Sequence, residues 1–413
     1  MNEEISTPDV AVVGGGPAGL AIATALRRLC GGRVSVLERE SVAGGIPRHC
    51  GHPPFGMREF GRILTGPRYA QRLVECALAN GVSVCTNTTV TSINSGPLLL
   101  VSTPDGVKEM RPRRVILATG VRETPRAARF TSGTRPMGIV TTGALQSSVY
   151  LGNGAPCTRP VIVGSELVSF SALLTCHHAG IRPVAMIDSR PRPIAWHSAS
   201  LLPWLQRIPL LLSTRLERIE GRERVSGVVV RDSTGTPRRI HCDGVVFSGR
   251  FVAESTLARM AHLVLDEGTG GPLVDNRGCC SDPDFFAIGN LVHPANSAGS
   301  CWREGNSLAR HVVASLESDH PASETGIGIR KFGPVIRYVS PQRIVRDAES
   351  SAVAPLWIRF AEAASGQVSL RSGDQVILRQ TVDALPERQL RLRVPMKTLE
   401  NPGASLDLHF ETR

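Results

Sequence analysis

Three glycines and one glutamate carry the strongest chemical signal in the chain. Gly14, Gly16 and Gly19 stand in the run VAVVGGGPAGLAIATAL, spaced G-x-G-x-x-G where a short apolar stretch gives way to a helical one. The first glycine allows a tight turn, the second lets a phosphate reach the backbone, and the third lets helix and strand pack closely. Pro17 and Ala18 open the helix, whose free N–H groups and positive dipole end suit a pyrophosphate. Glu38 closes the next apolar run, 19 residues past Gly19. A carboxylate there grips ribose hydroxyls and repels a 2′-phosphate. Together these residues predict a site for an unphosphorylated ADP moiety, without saying which dinucleotide carries it.

A second run, VIVGSELVSFSALL, repeats the pattern in damaged form. Gly164 keeps the first position, but Glu166 and Ser169 replace the other two glycines. Glu166 crowds a pyrophosphate and sets negative charge beside it, at a cost on the order of a few kcal/mol in a partly polar site. Asp188 could still hold a ribose. NAD(P)H binding is therefore disfavoured here, and a structural remnant or partner-docking unit is the expectation.

The elements that must position these residues alternate as βαβ units do. Asp9 to Val13, Arg33 to Glu38, Val82 to Cys85 and Val115 to Thr119 read as strands, with helices over Ala18 to Leu29 and Pro67 to Asn80. A second set has strands Pro160 to Val163, Val184 to Asp188, Arg224 to Arg231 and Val245 to Ser248, with a helix over Val168 to Ala179. From Phe332 onward, short alternating segments separated by Gly, Asp and Pro turns predict a small β-rich module. The expected fold class is α/β: two Rossmann-like dinucleotide-binding domains, the first discontinuous, plus a C-terminal β-rich domain. The expected boundaries are 1–155 with 245–330, then 156–244, then 331–413.

The formal net charge of +11 does not imply nucleic-acid binding. Lysine is confined to Lys108, Lys331 and Lys397, and the arginines are scattered rather than massed. A basic surface fits an acidic partner subunit or an anionic substrate better. The start, MNEEISTPD, has neither a basic nor an apolar leader region, so no secretory signal is expected. No apolar run approaches the about 20 residues that span a bilayer; Leu201 to Leu212 comes nearest and is broken by Arg207 and two prolines. Ten cysteines without CxxC or zinc-type spacing fit free thiols, Cys279 and Cys280 included, and no metal site. The expected location is the cytoplasm, free or held at the inner membrane face through a partner.

Two further segments identify the dinucleotide by resemblance. VILATGVRETPR, residues 115–126, resembles the second FAD-contact strand of two-dinucleotide-binding flavoproteins, with Ala118, Thr119 and Gly120 as its turn. FFAIGNLVHPANSAGSCWREGNSLARHV resembles their C-terminal flavin motif. Its usual Gly-Asp pair is Gly289-Asn290 here, which keeps a carbonyl for the ribityl chain and loses a charge. The resemblance implies a helix starting near Trp302 to Gly305 and aimed at the flavin. GGIPRHCGHPPFG, LTGPRYAQRL, LATGVRETPR, TTGALQ and CWREG, in that order, are similar to a bacterial group of FAD-dependent oxidoreductases. The group lies in the pyridine nucleotide-disulfide oxidoreductase-like superfamily. It includes flavin subunits of hydrogen cyanide synthase and opine oxidases, and oxidoreductases associated with glycerol-3-phosphate dehydrogenase-like proteins. The likeness covers residues 8–345, and it implies further FAD contacts at Arg39, Gly45, Ile46 and Val90.

GGIPRHCGH occupies the region where disulfide reductases carry a redox cysteine pair. Only Cys50 is present and Ile46 stands where a second cysteine is needed, so no intramolecular disulfide relay is expected. His49, Cys50 and His52 are candidates to line the flavin, a histidine serving as acid or base; loop packing is the equal alternative. The resemblance thus implies the flavin subunit of a heteromeric amine or hydroxy-acid dehydrogenase acting on a small molecule. The C-terminal module has no cysteine for an iron–sulfur cluster, so electrons must leave to a second oxidoreductase subunit, an iron–sulfur protein or a diffusible acceptor. The competing expectations are a self-sufficient NAD(P)H-dependent flavin reductase and an interaction subunit with structural FAD.

Overall fold

The computed structural model describes residues 7–194, 200–317, 326–346, 353–386, 388–399 and 405–412. The acidic start, residues 1–6, lies outside the described residues. The chain divides into two compact units, one of residues 1–45, 70–121 and 253–413 and one of residues 46–69 and 122–252.

The first unit is organised by a five-stranded sheet in the order Phe285–Ala287, Arg114–Leu117, Val10–Val13, Val34–Leu37, Ser83–Cys85. Every pair is parallel, with Val10 beside both Val34 and Arg114. Val10–Val13 and Val34–Leu37 are buried along their whole length, which is why they read as continuous apolar runs rather than alternating ones. The helix Pro17–Cys30 starts on a proline, whose missing N–H costs nothing in the first turn. It stops at Gly31, whose φ of 62° suits glycine and lets its N–H return to Arg27. An antiparallel meander, Thr89–Asn94, Leu98–Thr103 and Gly106–Met110, completes this part. The sequence reading did not anticipate it.

The long helix Ala298–Glu317 belongs to this unit and packs on Pro17–Cys30, where Gly305 lies against the Ala18 carbonyl. It starts earlier than the expected Trp302 to Gly305. Ser297 caps it, its hydroxyl oxygen accepting from the Ser300 N–H at 3.3 Å. Trp302 therefore sits inside the helix, half-buried.

The C-terminal β-rich module is also part of this unit. Five strands run in the order Arg343–Ile344, Ile327–Lys331, Leu406–Thr412, Ala364–Ser372, Gln375–Ala384, and three in the order Ile336–Ser340, Val353–Phe360, Gln389–Pro395. One shared core, including Leu356, Ile358, Phe360, Leu370, Leu392 and Leu408, joins them. Gln342 fastens the module to the rest of the unit: its Oε1 accepts from the Val274 N–H at 3.0 Å, and its own N–H donates to the Val274 carbonyl at 3.0 Å.

The second unit repeats the plan. Its parallel sheet has the order Ile139–Thr141, Gly244–Phe247, Pro160–Val163, Ala185–Ile187, Leu210–Leu211, with Leu167–His178 as the helix after the central strand. An antiparallel group built on Arg215–Gly221, Val225–Arg231 and Pro237–Ile240 accompanies it. Strands Ile139–Thr141 and Gly244–Phe247 pair in this sheet, so residues 122–155 and 245–252 belong with the second unit. That moves the expected boundaries, because the chain leaves the first sheet directly after its Arg114–Leu117 strand.

Candidate dinucleotide sites

The first glycine turn forms where strand Val10–Val13 meets helix Pro17–Cys30. Gly14 has φ of +110°, and a Cβ there would lie 2.6 Å from the Ala118 carbonyl oxygen, so only glycine fits. A Cβ on Gly19 would run into the Gly14 carbonyl, which is the close strand–helix approach the spacing predicts. Gly16 differs: a Cβ there meets nothing within 4 Å, and it caps the helix with no side-chain hydrogen bond to the first-turn N–H groups. Those amides are the donors a pyrophosphate needs.

Glu38, 8% exposed, stands beside this turn. Its Oε2 accepts from the Gly15 N–H at 2.9 Å and its Oε1 from the Glu40 N–H at 3.0 Å. Each oxygen keeps a lone pair for a hydroxyl donor. Gly45 closes the other side, a Cβ there falling 2.8 Å from Gly16 Cα. Arg39 is exposed next to Glu38, while the Val90 side chain lies in the core with Leu37, Leu99 and Val101, leaving only its backbone to offer.

Ala118, Thr119 and Gly120 follow the neighbouring strand, held by the Thr119 hydroxyl donating to the Glu254 carbonyl at 2.7 Å. Gly289 has φ of +72° and approaches Ala18, where a Cβ would fall 2.8 Å from that side chain. The Gly289 N–H donates to Glu304 Oε2 at 3.2 Å. Asn290 is spent on its own loop: Oδ1 accepts from the Asn296 N–H at 2.7 Å and Nδ2 donates to the Asn296 carbonyl at 3.2 Å. The structure thus gathers Gly14, Gly16, Pro17, Ala18, Gly19, Glu38, Gly45, Ala118 and Gly289 around one turn.

The second glycine turn is filled from within. A Cβ on Gly164 would lie 2.5 Å from Glu166 Oε2, and one on Gly249 would lie 2.5 Å from the Glu166 carboxyl carbon. The Glu166 carboxylate, 7% exposed, accepts from the Ser169 hydroxyl at 3.2 Å and from Arg190 Nη2 at 3.3 Å. Arg190 also donates to both oxygens of Asp188, at 2.9 and 3.0 Å, and Ser165 adds a hydrogen bond at 2.5 Å. Burial pushes the Asp188 carboxyl up, but the bonds from Arg190 and Ser165 outweigh it and hold the group below its ordinary range. The residue that would hold a ribose is thus locked by an arginine, and the cradle holds a carboxylate. The sequence flagged Glu166; it gave no sign of Arg190.

Ile46, His49, Cys50 and His52 belong to the second unit. Ile46 is 55% exposed and His49 is buried at the other end of the short 3-10 turn Ile46–His49. The Cys50 thiol faces the Ile46 carbonyl and Gln146 Oε1, both at 3.7 Å. Gln146 Nε2 donates to Ser171 Oγ at 2.7 Å, and Ser171 reaches His52 Nε2 at 2.5 Å. His52 Nδ1 lies 2.9 Å from the Pro53 carbonyl, which only accepts. Both ring nitrogens are engaged. Burial pushes the Cys50 thiol up to about 12, with nearby Glu123 adding to the shift, so it is a protonated donor near neutrality rather than a nucleophile. Sequence reasoning met Ser171, Glu123 and Gln146 only inside VIVGSELVSFSALL, VILATGVRETPR and TTGALQ and gave them no role; no spacing rule links them to Cys50. All ten cysteines are free, Cys279 and Cys280 included.

Residues 8–316 match the family of pyridine nucleotide-disulphide oxidoreductases. The chain belongs to that family. Like the family, it is an FAD-dependent oxidoreductase, and its open first turn and Glu38 fit the ADP half of FAD. A glutamate synthase [NADPH] small chain from Mycobacterium tuberculosis is 29% identical over 261 residues, 59% of this chain and 49% of that protein. The chain thus spans about half the length of the curated relatives it matches. Among solved structures, thioredoxin reductase of T. acidophilum superposes with a TM-score of 0.63 at 23% identity, over 75% of this chain and 99% of that one. The NAD-dependent persulfide reductase of A. fulgidus gives 0.57 at 19%, over 94% and 71%. These likenesses bear out the two-Rossmann α/β fold. Among the described residues no helix is long and apolar enough to cross a membrane.

Proposed function

We propose that this chain is the electron-transferring flavin subunit of a heteromeric amine or hydroxy-acid dehydrogenase. The observation that carries the reading is Glu166, whose carboxylate takes the place a nucleotide pyrophosphate would need in the second unit. The lone, protonated Cys50 argues in the same direction, because a disulfide relay needs two thiols and a thiolate. With neither an open second nucleotide cradle nor a second cysteine at Ile46 to pair with Cys50, electrons would arrive from a substrate oxidised at this chain or at a partner.

FAD supplies the two-electron redox chemistry when bound. The chain's own residues bind and orient it: first-turn amides after Gly16 take the pyrophosphate, Glu38 takes the ribose hydroxyls, and the Gly289 loop meets the ribityl side. The helix starting at Ala298 turns its positive end toward that loop and favours negative charge there.

The test is anaerobic reduction of the purified flavoprotein by NADH, NADPH, amino acids and hydroxy acids, with and without co-purified partners. The expected result is slow or absent bleaching by either nucleotide and rapid bleaching by one substrate class with the partner present. Rapid reduction by a nucleotide alone would instead establish a self-sufficient reductase and end this reading.

A further inference from the structure

The C-terminal module has no place in the chemistry so far, yet it touches the loop that follows Gly289. His293 is 6% exposed, with Nε2 3.4 Å from Glu304 Oε1. The other oxygen of Glu304 accepts the Gly289 N–H at 3.2 Å. One carboxylate therefore bridges the histidine and the glycine of the flavin motif. The edge of the His293 ring meets Trp357 of the module, centroids 6.4 Å apart and planes at 73°, and the Arg391 guanidinium covers Trp357 at 5.3 Å.

A second contact lies one residue on. The Tyr338 hydroxyl donates to the Pro294 carbonyl at 3.5 Å. It accepts in turn from Arg359 Nε and from Gln389 Nε2, each at 3.1 Å. These side chains all come from the three-stranded sheet of the module, on the face opposite its own core, since Leu356, Ile358 and Leu392 point inward. A face that carries a buried arginine, a buried tyrosine and a tryptophan is built to cover something, and what it covers is the loop 291–296. His293 Nδ1 is buried with no hydrogen-bond partner among the described residues, so the ring is placed by packing and by Glu304, while the backbone N–H donates to the Gly289 carbonyl at 2.9 Å.

We infer that the C-terminal module is a working part of the flavin site: Trp357 and Tyr338 hold His293, and His293 with Glu304 sets how the Gly289 loop meets the cofactor. The residues act by positioning and do not touch reacting atoms. The inference rests on the reading that the Gly289 loop holds FAD.

The experiment uses the full chain carrying His293→Ala, Trp357→Ala, Trp357→Phe, Glu304→Gln or Gly289→Ala. The FAD dissociation constant comes from quenching of flavin fluorescence, and the midpoint potential from anaerobic dye titration. His293→Ala and Trp357→Ala are expected to weaken FAD binding about tenfold, the size of one lost orienting bond, with Trp357→Phe restoring most of it. Glu304→Gln keeps the bond to Gly289 and removes a negative charge, so it raises the potential while leaving the fold intact. Far-UV circular dichroism reports folding; if Trp357→Ala does not fold, His293→Ala and Glu304→Gln decide. Folded variants with the affinity and potential of the natural chain overturn the inference. Retention of FAD by Gly289→Ala overturns the underlying loop reading instead, whereas its loss beside an unaffected His293→Ala overturns the inference alone.

Discussion

Glu166 and Arg190 form an ion pair across the second glycine turn, Arg190 Nη2 standing 3.3 Å from Glu166 Oε1. At the same position of the first turn stands Gly16, with open space around it. Two units of one plan therefore differ at the atom-sized feature that decides whether a phosphate can enter. The Arg190 side chain is 37% exposed, so the pair adds little stability and its importance is the space it fills.

Glu166→Gly is expected to open the second cradle and remove its negative charge, with Arg190 still held by Asp188. NADH affinity should rise at least about tenfold as one repulsion is removed, with NADPH gaining less because Asp188 repels a 2′-phosphate. Titration of nucleotide into both proteins checks this; equal, undetectable binding would show that the cradle is closed by more than Glu166.

Gly16→Val places a branched side chain where the first turn is open. Gly16 is extended, with φ of −84° and ψ of −175°, so valine fits the backbone and the protein should fold. It should emerge without FAD, seen as loss of the visible flavin absorbance with unchanged far-UV circular dichroism.

Asn290→Asp restores the Gly-Asp pair of the resembling flavoproteins but sets a second oxygen against the Asn296 carbonyl, which now accepts from Nδ2 at 3.2 Å. The loop should lose about 1 kcal/mol, read as a lower thermal midpoint. A rise in both stability and FAD affinity would mean that the amide pair is not what holds the loop.

Stability should fall at alkaline pH. Burial holds Cys50, Cys157, Cys176 and Cys279 up at about 12, against an ordinary 9.0. Between those values the unfolded chain has lost protons that the folded chain keeps, so each thiol destabilises the fold by on the order of 1 kcal/mol per pH unit. Urea midpoints should be flat from neutrality to pH about 9 and decline above it, and Cys50→Ala should lessen the decline. Below the ordinary carboxylate range the sign reverses for Asp188, whose lowered value stabilises the fold until acid protonates it.

Much of this was legible in the sequence because it is local. Gly14, Gly16, Gly19 and Glu38 report a turn whose geometry depends on a few neighbouring residues, and fully buried strands such as Val10–Val13 announce themselves as apolar runs. Glu166 was legible for the same reason. The long-range partners were not. Nothing in the spacing says that Arg190 would reach back to Glu166, that Gln146 and Ser171 would link Cys50 to His52, or that Trp357 would meet His293. The helix expected at Trp302 starts at Ala298 because Ser297 caps it, a signal present in the sequence but overshadowed by the CWREG resemblance. The meander Thr89–Met110 was missed because its outer strand, Gly106–Met110, is exposed up to Met110 and two charged residues, Lys108 and Glu109, break its apolar pattern.

Glu166 behaves as a competitor tied to the receptor it blocks. A free nucleotide competes at its cellular concentration, whereas a side chain on the same turn is present at an effective concentration far above that. Raising nucleotide levels would therefore do little to win the second cradle, and under the proposed function the electron supply of this flavoprotein would be insulated from swings in the pyridine nucleotide pool.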